Sequence, residues 1–284
     1  MSCAWEDFLR LLPPAMVPEA DSLGRDRLRE LRLRLGDRPE YILPDRRCQG
    51  RDPVTRQTLD YCVNAASRYS PWAAATAAQG YITAPGGHRI GLCGEAVCQE
   101  GKITGIGEIT SLCLRVARDF PGIGRGWTMA RGSTLILAPP GWGKTTLLRD
   151  ICRQIGERET ICVMDQRREL FPQGFSRGKR VDVLSGCPKG PGMEMVLRTM
   201  TPQWIAVDEI TAREDTRALC QAAFCGVKLL ATAHGREGAD LCRRGIYRPL
   251  VELGIFDSLL ILGRDKSWRW ERMEKWATNC LGRP

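Results

Sequence analysis

The residues best suited to chemistry lie in the middle of the chain, in the segment Ala138-Pro-Pro-Gly-Trp-Gly-Lys-Thr-Thr146. Two glycines let the backbone wrap closely around phosphate oxygens, and Lys144 follows at the spacing that brings an ammonium group to the β- and γ-phosphates of a nucleotide. The Thr145 hydroxyl is suited to ligate Mg²⁺. We therefore predict that the segment binds ATP and Mg²⁺ through Ala138, Pro139, Pro140, Gly141, Trp142, Gly143, Lys144, Thr145 and Thr146.

A second candidate site segment, Trp204-Ile-Ala-Val-Asp-Glu-Ile210, ends an apolar run in two carboxylates. A buried strand of this kind carries an acid to the edge of a parallel sheet, where nucleotides bind. Asp208 is the predicted magnesium contact, made through water. Glu209 is predicted to polarise the attacking water or to help hold the ion.

Polar residues follow two further apolar runs. Asp165 ends the run CVMD and is expected to face the γ-phosphate, with Glu169 one turn further on. The alternative is a salt-bridged loop formed with Arg167 and Arg168. His234 ends the run VKLLATAH. It is suited to sense the γ-phosphate or the attacking water, although a lone histidine of this kind can also be a hydrogen-bonded core residue.

The elements that must position these residues alternate between strand and helix from residue 133 onwards. The runs TLILAP, ETICVMD, QWIAVDE, VKLLATAHG and SLLILGR have the composition of buried strands, with SLLILGR expected to be the last. Helical patterns separate most of them, which predicts an α/β domain with a mostly parallel sheet over residues 133–284. Residues 119–132, with PGIGRG at their centre, are predicted to be a linker.

Residues 1–118 predict a smaller α+β domain. An amphipathic helix is expected in residues 1–20, ended by Pro13 and Pro14. From Glu30 the alternation of leucine and arginine indicates a half-buried strand. A helix is predicted around residues 55–69, and the glycine-rich run GYITAPGGHRIGLCGEAVCQEGKITGI predicts a β-hairpin or a small meander.

Composition restricts the class of protein. The net charge of +9 is spread along the chain, which favours an arginine-rich surface, while an anionic partner stays open as the alternative. The 13 cysteines include no C-x-x-C pair, and no signal peptide is recognisable, which predicts reduced thiols in a cytosolic protein. No apolar run approaches the roughly 18 residues needed to cross a bilayer, so any membrane role is expected to depend on partner proteins.

These motifs, together with GGHRIGLCGEA and DVLSGCPKGPGMEMVLRTM, resemble the stage III sporulation protein AA family. That family is related to the type II and type IV secretion ATPases. The resemblance extends from about Glu30 to Gly263, and its most specific part is the run from Val181 to Gly235. It implies a RecA-like ATPase core preceded by a smaller α+β domain, and a ring, usually hexameric.

The resemblance also assigns roles by position. Lys144 and Thr145 match the phosphate loop, Asp208 and Glu209 the second acidic motif, and His234 the histidine motif. The family tends to have Asp-Glu-Arg-Ser-Glu at residues 165–169, where this chain has Asp-Gln-Arg-Arg-Glu. Which of Asp165, Glu169 and Glu209 activates water therefore stays open.

The resemblance extends to three arginines of the first domain. Arg89, Arg115 and Arg118 match family positions, and in secretion ATPases the N-terminal domain supplies arginines to the nucleotide. They are candidate arginine fingers, and the alternative is that they only tie the domain to its neighbour.

The function that the resemblance implies is that of an ATP-hydrolysing motor. It would lie in the cytoplasm and dock on membrane-embedded sporulation proteins. Two other functions are compatible with the sequence. A nucleic-acid-remodelling ATPase would use the positive charge and the aromatic residues Trp268, Trp270 and Trp276, but nucleic acid is not the favoured partner. An ATP-binding scaffold with negligible turnover would account for Gln166.

Overall fold

The computed structural model describes residues 3–67, 77, 80–172 and 174–281. Within it the chain divides into two units. The N-terminal unit comprises Met1–Asp119 with Pro172–Phe175, and the C-terminal unit comprises Phe120–Phe171 and Ser176–Pro284.

The N-terminal unit is built on an antiparallel sheet in the order β3-β2-β1-β6-β5-β4. Its strands are β1 (Glu30–Arg34), β2 (Glu40–Ile42), β3 (Arg47–Gln49), β4 (Tyr81–Thr83), β5 (Arg89–Gln99) and β6 (Lys102–Arg115). Its helices are α1 (Trp5–Leu9), α2 (Val17–Leu23) and α3 (Arg56–Ser67). The predicted strand at Glu30 is confirmed, and β5 and β6 form the predicted hairpin around Glu100 and Gly101.

The prediction of one helix up to Pro13 is wrong. α1 ends at Leu9, Pro14 opens a 3₁₀ turn (Pro14–Met16), and Pro18 lies in the first turn of α2. The physical reason is that proline is tolerated in the first turn of a helix, where its missing N–H would have no partner. Residues 1 and 2, and residues 68 and 69 of the helix predicted around 55–69, lie outside the described part.

The C-terminal unit has a sheet in the order β13-β12-β7-β11-β10-β8-β9. Every pair of neighbours is parallel except β12 and β13. Its strands are β7 (Thr134–Leu137), β8 (Ile161–Asp165), β9 (Val181–Ser185), β10 (Trp204–Val207), β11 (Lys228–Ala233), β12 (Ser258–Leu262) and β13 (Trp268–Arg272). Consecutive residues of β7, β8, β10 and β12 are all buried, because apolar side chains pack on both faces of this sheet.

Helices surround this sheet. They are α4 (Lys144–Gly156), α5 (Lys189–Thr199), α6 (Arg213–Phe224), α7 (Ala239–Arg243), α8 (Arg248–Glu252) and α9 (Glu274–Leu281). The prediction that SLLILGR is the last strand is wrong, since β13 follows it, and β9 was also missed. Both are edge strands with polar or charged residues, so neither shows the continuous apolar pattern of a buried strand.

The prediction of reduced thiols is also wrong for one pair of cysteines. The structure joins Cys242 of α7 to Cys280 of α9 in a disulfide, and the other cysteines are free. The two residues are 38 positions apart, and only the packing of α7 against α9 brings their Cα atoms to 5.2 Å. Within the described residues, no helix combines the length and the apolarity that crossing a bilayer requires.

Candidate nucleotide site

The phosphate-loop segment connects β7 to α4. Gly141 and Gly143 have φ angles of 76° and 100°, which is the left-handed region that favours glycine, so the chain turns sharply before α4 begins at Lys144. The positive end of a helix dipole therefore lies at this loop, an arrangement suited to phosphate. In the sheet, β11 lies between β7 and β10, so the carboxyl ends of these strands lie side by side.

Lys144 is almost fully buried and makes three hydrogen bonds. Its Nζ donates to the carbonyl oxygens of Ala138 (3.1 Å) and Pro139 (3.2 Å) and to His234 Nδ1 (3.1 Å). Burial lowers the pKa of Lys144, and the negative charges of Asp208 and Glu209 act against that shift. The amine is therefore held at the loop before any nucleotide arrives.

Asp208 connects three elements. Its Oδ2 accepts a hydrogen bond from Thr145 Oγ1 (2.8 Å), and its Oδ1 accepts one from Thr232 Oγ1 (2.8 Å) on β11. Thr232 Oγ1 also accepts a bond from the Glu209 backbone N–H at 2.7 Å. A hydroxyl and a carboxylate side by side fit Mg²⁺, which usually takes one or two protein oxygens together with substrate phosphates. Thr145 and Asp208 are the residues that would hold the ion.

Glu209 lies between a histidine and an arginine. Its Oε1 is 2.9 Å from His234 Nε2, and its Oε2 is 3.3 Å from Arg167 Nη1. Partial burial acts to raise the pKa of Glu209, but the His234 hydrogen bond and the positive charges of Arg167 and Lys144 outweigh it and lower the pKa. An ionised carboxylate held in this way can accept a proton from water.

Together these side chains border one cavity of about 440 Å³, lined by Pro140, Gly141, Gly143, Lys144, Thr145, Arg167, Asp208, Glu209 and His234. The motifs that sequence analysis placed at three separate strand ends therefore meet in one place. Ala138, Pro139, Trp142 and Thr146 belong to the same segment but do not line the cavity.

The two other predicted carboxylates lie elsewhere. Asp165 is buried, and its oxygens accept hydrogen bonds from the backbone N–H groups of Glu169 (2.8 Å), Leu170 (3.0 Å) and Phe171 (3.3 Å). Burial raises the pKa of Asp165, although the backbone N–H groups oppose the shift. Its carboxylate holds its own loop and does not face the cavity, which corrects the expected orientation. Glu169 also lies outside the cavity lining.

Three residues that support the site were missed by sequence analysis. Lys189, at the start of α5, is buried and donates from Nζ to the Glu209 carbonyl oxygen (2.7 Å) and to Asp215 Oδ2 (3.1 Å). The Tyr247 hydroxyl accepts a bond from the His234 N–H (3.2 Å) and donates to the Ile210 carbonyl (3.3 Å). Thr232 completes this set. Lys189 and Thr232 lie in runs that the sequence analysis quoted, but none of the three was assigned a role, because their partners lie on other elements.

These contacts hold Glu209 in an unusual backbone conformation. Its φ is 56°, a left-handed value that costs a residue with a side chain about 1–3 kcal/mol. Lys189 holds its carbonyl and Thr232 holds its N–H. In this conformation the Glu209 carboxylate contacts His234 at 2.9 Å.

The three candidate fingers belong to the N-terminal unit. The Arg89 guanidinium lies 4.1 Å from the centre of the Tyr81 ring, and Arg115 Nε lies 3.4 Å from Glu30 Oε2. Arg118 donates to the backbone carbonyls of Arg25 and Leu28. Their role towards nucleotide stays a prediction.

Comparison with known proteins shows the family to which the chain belongs. The family model described as "Sporulation stage III, protein AA" matches residues 9–269. The chain belongs to this family. It is 38% identical over 209 residues to the stage III sporulation protein AA of Bacillus subtilis, a match that spans 66% of each chain.

Solved structures show that this chain shares its fold with a pilus motor and with a further ATPase. The pilus retraction motor PilT, solved with bound ADP, has a TM-score of 0.62 at 15% identity, over 94% of this chain and 86% of that one. The ATPase DotB of Legionella pneumophila has a TM-score of 0.59 at 18% identity, over 90% and 78%. The fold is therefore an α/β, RecA-like core with a mostly parallel sheet, preceded by a smaller α+β unit.

Proposed function

We propose that this chain hydrolyses ATP with Mg²⁺ and acts as a motor of the secretion-ATPase type. The observation that carries the proposal is the cavity in which Lys144, Thr145, Asp208, Glu209 and His234 converge. Family membership and the fold shared with two ATPases support the same activity.

The side chains have separate tasks in the proposed reaction. Lys144 exchanges its carbonyl partners for the β- and γ-phosphates. Glu209 accepts the proton of the attacking water, and His234 holds Glu209 in place through its Nε2–H. Mg²⁺, when bound, neutralises phosphate charge.

The wider role is part of the same proposal. We place the chain in a homo-oligomeric ring, a hexamer, on the cytoplasmic side of a membrane-embedded sporulation complex. Family membership supports the link to sporulation. Light scattering and electron microscopy of the full-length protein with a non-hydrolysable ATP analogue test the ring, and a monomer under all nucleotide conditions would contradict it.

The alternative of nucleic-acid remodelling has weak support in the described residues. Trp268 packs partly against the core, and Trp276 Nε1 donates to Glu271 Oε2 at 2.9 Å. Trp270 is 40% exposed, and the Arg131 guanidinium lies 4.7 Å from its ring centre. The three indoles therefore do not form an open stacking surface.

The central test is ATP turnover and nucleotide-induced stabilisation in wild type and Lys144→Ala. We expect Lys144→Ala to lose both, and the exposed Lys179→Ala control to keep both. The nucleotide-free variant should still fold, because the loop lies at an edge of the sheet, but it should melt at a lower temperature, since the Ala138 and Pro139 carbonyls lose a donor. Wild type that binds ATP tightly without turnover would instead support the scaffold alternative.

A further inference from the structure

Four side chains form a continuous row of contacts along the cavity. Lys144 bonds to His234, His234 to Glu209, and Glu209 to Arg167, over 3.1, 2.9 and 3.3 Å. The row begins and ends with a cation, and both cations line the cavity. A lysine at the position of Lys144 is the usual phosphate ligand of such loops. Arg167 lies outside the phosphate-loop motif, so the motif gives it no role.

The pairing of Arg167 with Glu209 is easily exchanged. The Arg167 side chain is 56% exposed, and the structure shows one contact with Glu209 at 3.3 Å rather than a two-pronged pair. Exposed ion pairs of this kind contribute little to stability. A phosphate group carries more negative charge than a carboxylate and matches the fork of a guanidinium, so it competes well for Arg167.

The position of Glu209 indicates which phosphate is within reach. The attacking water must lie between the base that activates it and the terminal phosphorus atom. A cation in contact with Glu209 is therefore next to the terminal phosphate. Thr145 and Asp208, the residues that would hold the metal ion, bond to each other.

We propose that Arg167 is a ligand of the terminal phosphate of the nucleotide bound in its own chain. Without a terminal phosphate, Arg167 keeps the contact with Oε2 of Glu209 that the structure shows. When a triphosphate binds, Arg167 turns to the phosphate and leaves that oxygen open to water. A diphosphate has no group at this position, so Arg167 stays with Glu209. The inference rests on the proposed function, because it assumes that the cavity binds ATP.

The test compares dissociation constants for ADP and for the β,γ-imido analogue of ATP in the full-length protein with Mg²⁺. In Arg167→Ala we expect the analogue to bind at least about tenfold more weakly, since one charge-assisted hydrogen bond is lost. ADP affinity should stay within about threefold of wild type. The affinity of Arg167→Lys for the analogue should lie between those of wild type and Arg167→Ala, because lysine keeps the charge but lacks the forked guanidinium.

Arg168→Ala is the matched control. It removes the same charge one residue away, outside the cavity lining, where the Arg168 guanidinium packs against Gly186. It should bind both nucleotides as wild type does. If Arg167→Ala keeps the wild-type ratio of the two dissociation constants, or hydrolyses ATP as fast as wild type, the inference is wrong while the proposed function stands. A wild type that binds neither nucleotide refutes both.

Discussion

His234 Nε2 lies 2.9 Å from Glu209 Oε1, at the ends of two neighbouring parallel strands. The Lys144 ammonium can only donate, so His234 Nδ1 must accept and Nε2 must carry the hydrogen. In this pattern His234 Nε2 donates to Glu209 Oε1. The histidine thereby connects the phosphate-binding lysine to the predicted base.

The two adjacent carboxylates should have separable effects. Glu209→Gln keeps an oxygen for His234 but cannot accept a proton, so we expect normal Mg-ATP binding and turnover about 10²-fold slower. Asp208→Asn should instead raise the Mg²⁺ concentration needed for half-maximal turnover, because one ion ligand loses its charge. Binding by titration and turnover at several Mg²⁺ concentrations check both. Equal loss of nucleotide binding in the two variants would contradict these roles.

Lys189 should be a positioning residue for Glu209. Lys189→Met removes its bond to the Glu209 carbonyl, so turnover should fall at least about tenfold while the ATP analogue still binds. The single change also leaves Asp215 buried without its cation, which destabilises the fold. The double variant Lys189→Met/Asp215→Asn removes that charge and should recover melting temperature without recovering turnover. Recovery of both would mean that Lys189 acts only through stability.

Substitution of the three N-terminal arginines should have different effects on melting temperature and on turnover. Arg118→Ala leaves two backbone carbonyls without a donor, so we expect a lower melting temperature. Arg115 is largely exposed and contacts one carboxylate, so its removal should cost little stability. If Arg89 or Arg115 is a finger, its alanine variant should lose about 10³-fold in turnover, more than any change in melting accounts for. Full turnover in both variants would leave these arginines without a catalytic part.

His88 should make the N-terminal unit sensitive to acid. It is buried, its Nδ1 accepts from the Ala117 N–H at 3.1 Å, and burial lowers its pKa below 6.5 although the Ala4 carbonyl opposes the shift. The unfolded chain therefore binds more protons in this range, and stability falls as pH drops below about 6.5. His88 should lower the free energy of unfolding by up to about 1.4 kcal/mol for each pH unit of this drop.

Chemical denaturation of wild type and His88→Gln at pH about 8 and about 5.5 measures this effect. The loss of unfolding free energy between the two pH values should be smaller in the variant, whatever its stability at the higher pH. An equal loss in both proteins would show that other groups cause the acid sensitivity.

Much of the site could be predicted from the sequence, because its signals are local. The phosphate loop is a short spacing of glycines, Lys144 and Thr145 between a strand and a helix. Asp208 and His234 each end an apolar run, and parallel strands bring such ends to one edge. The alternation of strand and helix patterns correctly predicted the mostly parallel sheet that has this edge.

Only the tertiary structure decided which of these residues meet. Strand order places β11 between β7 and β10, so His234 contacts both Lys144 and Glu209. Asp165 has the same sequence signature as Asp208, yet it turns to the backbone of its own loop. Lys189 supports Glu209 from a helix 20 residues earlier in the chain. The physical reason is that hydrogen bonds between distant segments depend on how elements pack, and no spacing within one element encodes them.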